Sequence, residues 1–189
     1  MANPEHLAKL KEGVEAWNLW RDQYDQTFPD LSRADLSGAD LHKINLSRAH
    51  LEGTNLSDTF IEHGDFTGGA FLNDANLINS HMSWCRLIGA DLTGANLSGA
   101  SLRHADLTGA ILLGANFTSA TLTEANFQKA NLQQAVLNEA NLRGAKLVDA
   151  DLTERVQLRH AYLVGADLRR ANFREADLST QTAQAIFRR

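Results

Sequence analysis

The chain has 189 residues, a formal net charge of −5, two prolines and a single cysteine. That length suits one domain, no Pro/Gly/Ser-rich linker divides it, and the acidic balance speaks against a general nucleic-acid binder, which needs a basic face. Cys85 alone allows no intramolecular disulfide and no thiolate-rich metal cluster.

The first predicted element is a helix over residues 4–24. Asn3 is a good N-cap and Pro4 suits the first helical turn. Leu7, Leu10, Val14, Trp17 and Tyr24 fall at helical steps, with Arg21 interrupting the apolar stripe. The charges between Met1 and Leu10 do not suit a secretory leader. No run of about 18 apolar residues follows to span a membrane, so the expected compartment is the cytoplasm.

From Pro29 the chain reads in fives: Pro-Asp-Leu-Ser-Arg, Ala-Asp-Leu-Ser-Gly, Ala-Asp-Leu-His-Lys. The large apolar centres run from Leu31 to Phe66, from Leu72 to Leu152, and from Leu158 to Leu178. One extra residue near Thr67-Gly68-Gly69 and another near Glu154-Arg155 shift the frame, leaving about 30 repeats. Two residues before each centre stands a small residue, as in the series Ala90, Ala95, Ala100, Ala105; Ile44, Thr54, Ser80, Cys85 and Val156 are exceptions.

Period five fits neither standard element. On an α-helix the centres would spiral round the axis; on a flat strand an odd period would send successive centres to opposite faces. The chain must turn once per repeat. The small residue and the centre then point inward, the Asp or Asn between them points outward, and the last two positions form the turn.

This Ala-(Asp/Asn)-Leu-x-x pattern, over residues 29–178, resembles the pentapeptide-repeat family. The resemblance implies an all-β right-handed quadrilateral β-helix, four repeats to a coil. That gives about 7–8 coils and, at about 4.8 Å per coil, a rod roughly 36 Å long. The opening Met1-Ala2-Asn3-Pro4-Glu5-His6-Leu7 is similar to the heads of family members common in cyanobacteria. The expected organisation is an α-helical cap over residues 1–28, the β-helix over 29–178, and a capping tail over 179–189. In the tail a short C-terminal helix would lay Ala183, Ile186 and Phe187 on the last coil. Gyrase-inhibiting members dimerise through that end; here a monomer is expected over a C-terminal homodimer.

No catalytic constellation stands out, so no enzyme activity and no cofactor is expected. Asp35, Asp40, Asp65, Asp91, Asp106, Asp151, Asp167 and Asp177 hold the outward position that the repeat explains. Cys85 holds a small inward position and reads as an inert core residue. The irregular outward residues say more. If both insertions bulge without changing the coil phase, one face collects Phe60, His63, His81, Trp84 and His104, with His42 and Lys43 at its margin. Lys43, His63, Trp84, His104 and Glu124 would then form a column. Exposed aromatic residues tend to mark contact surfaces. Three readings stand: a protein-binding patch, aromatics covered by a bulge or by the cap, or a metal site. The last is strained, because His63 and His104 would lie two coils apart, about 9.6 Å, too far for one zinc ion. His63 with His81 is a weaker pairing.

Charge is uneven: residues 27–109 carry ten acids and five bases, residues 110–178 eight of each. The expected function is a non-catalytic protein-interaction scaffold or regulator, with no nucleic acid or membrane bound directly. The alternative is a DNA mimic that inhibits a type II topoisomerase. The acidic first half suggests it, and Arg155, Arg159, Arg169, Arg170 and Arg174 count against it.

Overall fold

The computed structural model describes residues 1–179, and the repeat around Leu31 shows how each corner closes. The N–H of Ala34 donates to the Leu31 carbonyl at 3.0 Å, a β-turn whose third residue, Arg33, has φ 57°. The carboxylate of Asp30 accepts from the N–H of Ser32 at 2.9 Å and braces the turn from outside. Where Ser or Thr follows the centre, its hydroxyl can donate to the same oxygen, as Thr93 does to Asp91 at 2.6 Å. The Asp/Asn-Leu-Ser/Thr pattern is therefore a turn-bracing device.

Four repeats make one coil. Parallel bridges join Asp30 to His50, Asp35 to Asn55, Asp40 to Phe60 and Asn45 to Asp65, each pair twenty residues apart. These four define the first, second, third and fourth sides. Both insertions are absorbed at corners, where His50 bridges Phe71 and Val136 bridges Gln157 at twenty-one residues. Each insertion adds a second left-handed residue: Gly68 and Gly69 (φ 72° and 80°), then Glu154 and Arg155 (φ 57° and 67°). The coil phase survives both.

The all-β expectation needs correction. Among the described residues the backbone forms isolated parallel bridges and no extended strand. The turn from each centre to the next small residue takes up most of the repeat, which leaves one bridging residue per side per coil. Hydrogen bonds between coils still run along the whole rod. Leucine, phenylalanine and alanine fill the interior, with Phe117 edge-on to Phe127 at 6.1 Å.

The single expected helix is two: α1, Pro4–Lys11, and α2, Val14–Gln23. Gly13, with φ 104°, breaks the run and lets both segments turn apolar residues onto the first coil. Leu10 and Trp17 are buried. Arg21 does not interrupt the packed face, because it is itself 2% exposed. Its guanidinium donates to the carbonyls of Thr27 and Ser47 at 2.7 and 2.9 Å. Tyr24, expected in the stripe, is exposed at the helix end.

The cap also satisfies the first coil's open edge. The Asn18 amide donates to the Lys43 carbonyl at 2.9 Å and accepts from the Asn45 N–H at 2.8 Å, standing in for a coil that is not there. Trp17 Nε1 donates to the Asn45 carbonyl at 2.8 Å. The Asn3 N–H donates to the Asp30 carbonyl, and His6 Nδ1 accepts from the Asp30 N–H, both at 2.9 Å. No helix among the described residues is long and apolar enough to cross a membrane. The expected helix with Ala183, Ile186 and Phe187 lies outside the described residues.

Candidate interaction surface

Because the insertions leave the phase intact, the five candidates share the third side and the corner that follows it. Phe60 and His81 sit in the bridging position of that side. There most repeats place Asp or Asn, so these two forgo the turn brace. Their rings stack at 4.7 Å with planes 21° apart. At the corner the N–H of Lys43, His63, Trp84, His104 and Glu124 donates to the next coil at Glu62, Ser83, Arg103, Thr123 and Arg143 respectively. The five form one column along the rod.

The column is an aromatic stack. His63 and Trp84 lie 6.2 Å apart with planes at 8°, and Trp84 and His104 lie 4.0 Å apart with planes at 16°. His42 meets His63 edge-on at 5.7 Å. Above, His104 Nδ1 is 3.4 Å from a Glu124 carboxylate oxygen. Trp84 is 52% exposed and Phe60 50%, so neither a bulge nor the cap covers them.

All five corner residues have φ between 57° and 64°. A non-glycine residue there costs roughly 1–2 kcal/mol, and glycine occupies the same corner in the next two coils, at Gly144 and Gly165. Glycine takes the other three corners at Gly53, Gly94 and Gly114, at Gly38 and Gly99, and at Gly68, Gly89 and Gly109, and non-glycine residues such as Arg33, Asp58 and Arg48 hold left-handed backbone there too.

A second stack lies on the opposite, first side, and periodicity reasoning missed it. His50 and Phe71 stack at 5.0 Å with planes 14° apart, and Phe28 approaches His50 at 6.4 Å. The signal was available, since Phe71 stands where Asp or Asn is usual. The frame shift at Gly68-Gly69 obscured it.

Both stacks lie on the surface of the rod, with Trp84, Phe60 and Phe71 exposed. Cys85 donates its Sγ–H to the Ile61 carbonyl at 3.0 Å, and burial pushes its pKa up to about 12. It is a core residue. Among the described residues no group of three or more His, Cys, Asp or Glu side chains is placed to hold a metal ion.

A corner-turning five-residue repeat, four to a coil and capped by helices at its start, defines a β-helical repeat rod with ladders of side chains on its sides. A family model for pentapeptide repeats matches residues 30–68, 69–94, 85–123, 120–154 and 154–179; the chain belongs to the pentapeptide-repeat family. Among solved structures it is similar to a trypsin-treated variant of QnrB1, a plasmid-mediated fluoroquinolone resistance protein. That match has 20% identity over 84% of each chain and a TM-score of 0.62. HetL, involved in heterocyst differentiation regulation in the cyanobacterium Nostoc, matches at 29% identity over 79% of this chain and 82% of its own, with a TM-score of 0.33. Rfr23 from the cyanobacterium Cyanothece matches at 26% identity over 86% and 95%, with a TM-score of 0.28. A comparison with curated proteins found no match.

Proposed function

We propose that the chain is a non-catalytic interaction rod of the cytoplasm, a scaffold or regulator whose contact surface is Phe60, His63, His81, Trp84 and His104. The observation that carries this reading is the exposed His63–Trp84–His104 stack, held in left-handed backbone on a rigid corner. Large aromatic side chains on a pre-ordered scaffold lose little conformational freedom on binding, which favours contact energy. The test is affinity capture from host lysate with the wild type and with a His63→Ala, Trp84→Ala, His104→Ala variant, both shown folded by circular dichroism. A protein held by the first and lost by the second supports the reading. Equal capture by both overturns it.

A topoisomerase-inhibiting DNA mimic is the second reading. It is favoured by the excess of acids over bases along the first half of the rod, ten against five over residues 27–109. Against it, Arg86 pairs with Asp65, Arg170 with Asp149 and Arg159 with Asp177, which breaks the negative surface. Unchanged gyrase supercoiling in the presence of the protein would remove it.

A further inference from the structure

We infer that the Trp84 column is self-complementary and that its occupant is a second copy of this chain, lying antiparallel against it. The inference rests on reading the column as an interaction surface and names what it contacts.

A two-fold interface requires a surface to match itself when reversed. Coil by coil, the corner reads Lys43, His63, Trp84, His104, Glu124. A two-fold axis crossing the rod at the level of Trp84 lays this column on its own reverse. Trp84 then meets Trp84 of the second copy, His63 meets His104, and Lys43 meets Glu124. The neighbouring column reads His42, Glu62, Ser83, Arg103, Thr123. The same axis lays Glu62 on Arg103 and Ser83 on Ser83. Within the five coils from Lys43 to Glu124, each Lys, Arg, Asp and Glu of the two columns thus meets an opposite charge, and symmetry repeats each pair; Arg143, one coil further on, meets none.

The register is specific. Moving the axis half a coil upward sets Trp84 on His104, Ser83 on Arg103, Lys43 on Gly144 and Glu62 on Thr123, and both ion pairs vanish. A parallel copy turned about the column's own direction sets Lys43 on Lys43 and Glu124 on Glu124. Only the antiparallel arrangement centred on Trp84 satisfies all four charges.

Two further observations agree. Within the chain, Lys43, Glu62 and Arg103 form no ion pair among the described residues. An available charge on each is what an intermolecular pairing needs. And the cap, which holds the Lys43 carbonyl through Asn18, comes opposite Gly144 and Gly165 when the column is reversed. Those two positions carry no side chain beyond a hydrogen, which leaves room for it beside Arg143 and Val164. This dimer differs from the end-to-end arrangement and from the monomer that the sequence suggests.

The experiment is sedimentation velocity on the full chain, with K43E and E124K examined separately and mixed. The wild type should sediment as a concentration-dependent dimer. Each single variant sets like charges opposite one another and should weaken the dimer about tenfold or more. Mixing the two restores opposite charges at both sites, so a heterodimer should form with near wild-type affinity. Circular dichroism of each variant checks that these exposed positions leave the fold intact. A wild type that stays monomeric overturns the inference, as does a dimer indifferent to both changes or a mixture that fails to recover. A monomeric wild type that still loses a captured protein on the His63/Trp84/His104 substitutions would overturn self-association alone and leave the contact surface standing.

Discussion

The indole of Trp84 lies 4.0 Å from the imidazole of His104, centroid to centroid, and both residues hold left-handed backbone, at φ 64° and 57°. The pair sits at a corner that needs neither ring to close. A β-turn here is closed by the Cys85 N–H donating to the Met82 carbonyl at 3.2 Å. The ring stack is an addition to a frame that is complete without it.

Trp84→Gly should therefore leave stability within about 1 kcal/mol of wild type. Relief of left-handed strain, roughly 1–2 kcal/mol, offsets the lost stacking, about 0.5–1.5 kcal/mol. Urea unfolding followed by circular dichroism measures this. A loss of several kcal/mol would make Trp84 a structural residue.

Gly64→Ala should destabilise the rod by about 1–3 kcal/mol. A Cβ at Gly64 would meet Ile61 Cγ2 at 2.8 Å, the Ile61 carbonyl oxygen at 3.0 Å and the Phe66 ring at 3.1 Å. Two of these neighbours are buried side chains and one is backbone, so little can move aside. The midpoint of urea unfolding is the readout.

The second insertion offers the opposite result. Glu154 and Arg155 are consecutive non-glycine residues in left-handed backbone, where the first insertion uses Gly68 and Gly69. Arg155→Gly should raise stability by about 1 kcal/mol, since it removes the Cβ clash behind that strain. A lower thermal midpoint would show that the Arg155 side chain makes a contact worth more than its strain.

Acid should loosen the rod through its turn braces. Hydrogen bonds from Ser179, then the bond from Arg159, lower Asp177 to about 2. Asp35 is lowered mainly by Ser37 and Asp149 mainly by Arg170; at Asp30 burial opposes the shift but the Ser32 bonds outweigh it. A carboxyl whose folded pKa is depressed contributes stability above its unfolded value, about 3.9. That contribution is lost as pH falls through the folded value. Thermal midpoints should hold above about pH 4 and fall towards pH 2. Asp177→Asn, which keeps an oxygen acceptor without the titration, should flatten the fall; an unchanged slope would remove Asp177 from the account.

The repeat was legible because one constraint recurs at every coil. A small residue, an outward Asp or Asn and a large apolar centre are what a corner-turning chain needs. The clustering of Phe60, His63, His81, Trp84 and His104 followed from counting in fours, provided the insertions kept phase. The helical cap was only half legible. Arg21 looked like a break in an apolar stripe, yet it is buried because carbonyls from Thr27 and Ser47 surround its guanidinium. Asn18 carried no signal at all, since its partners, Lys43 and Asn45, are distant in the chain.

By itself, then, the sequence determined the coil, its period and the content of its interior, because these follow from local spacing repeated many times. Only the tertiary structure decided that both insertions leave the coil phase intact, how the cap completes the first edge, and which rings stack across coils. Those depend on contacts between residues about twenty or more positions apart, which no local pattern encodes.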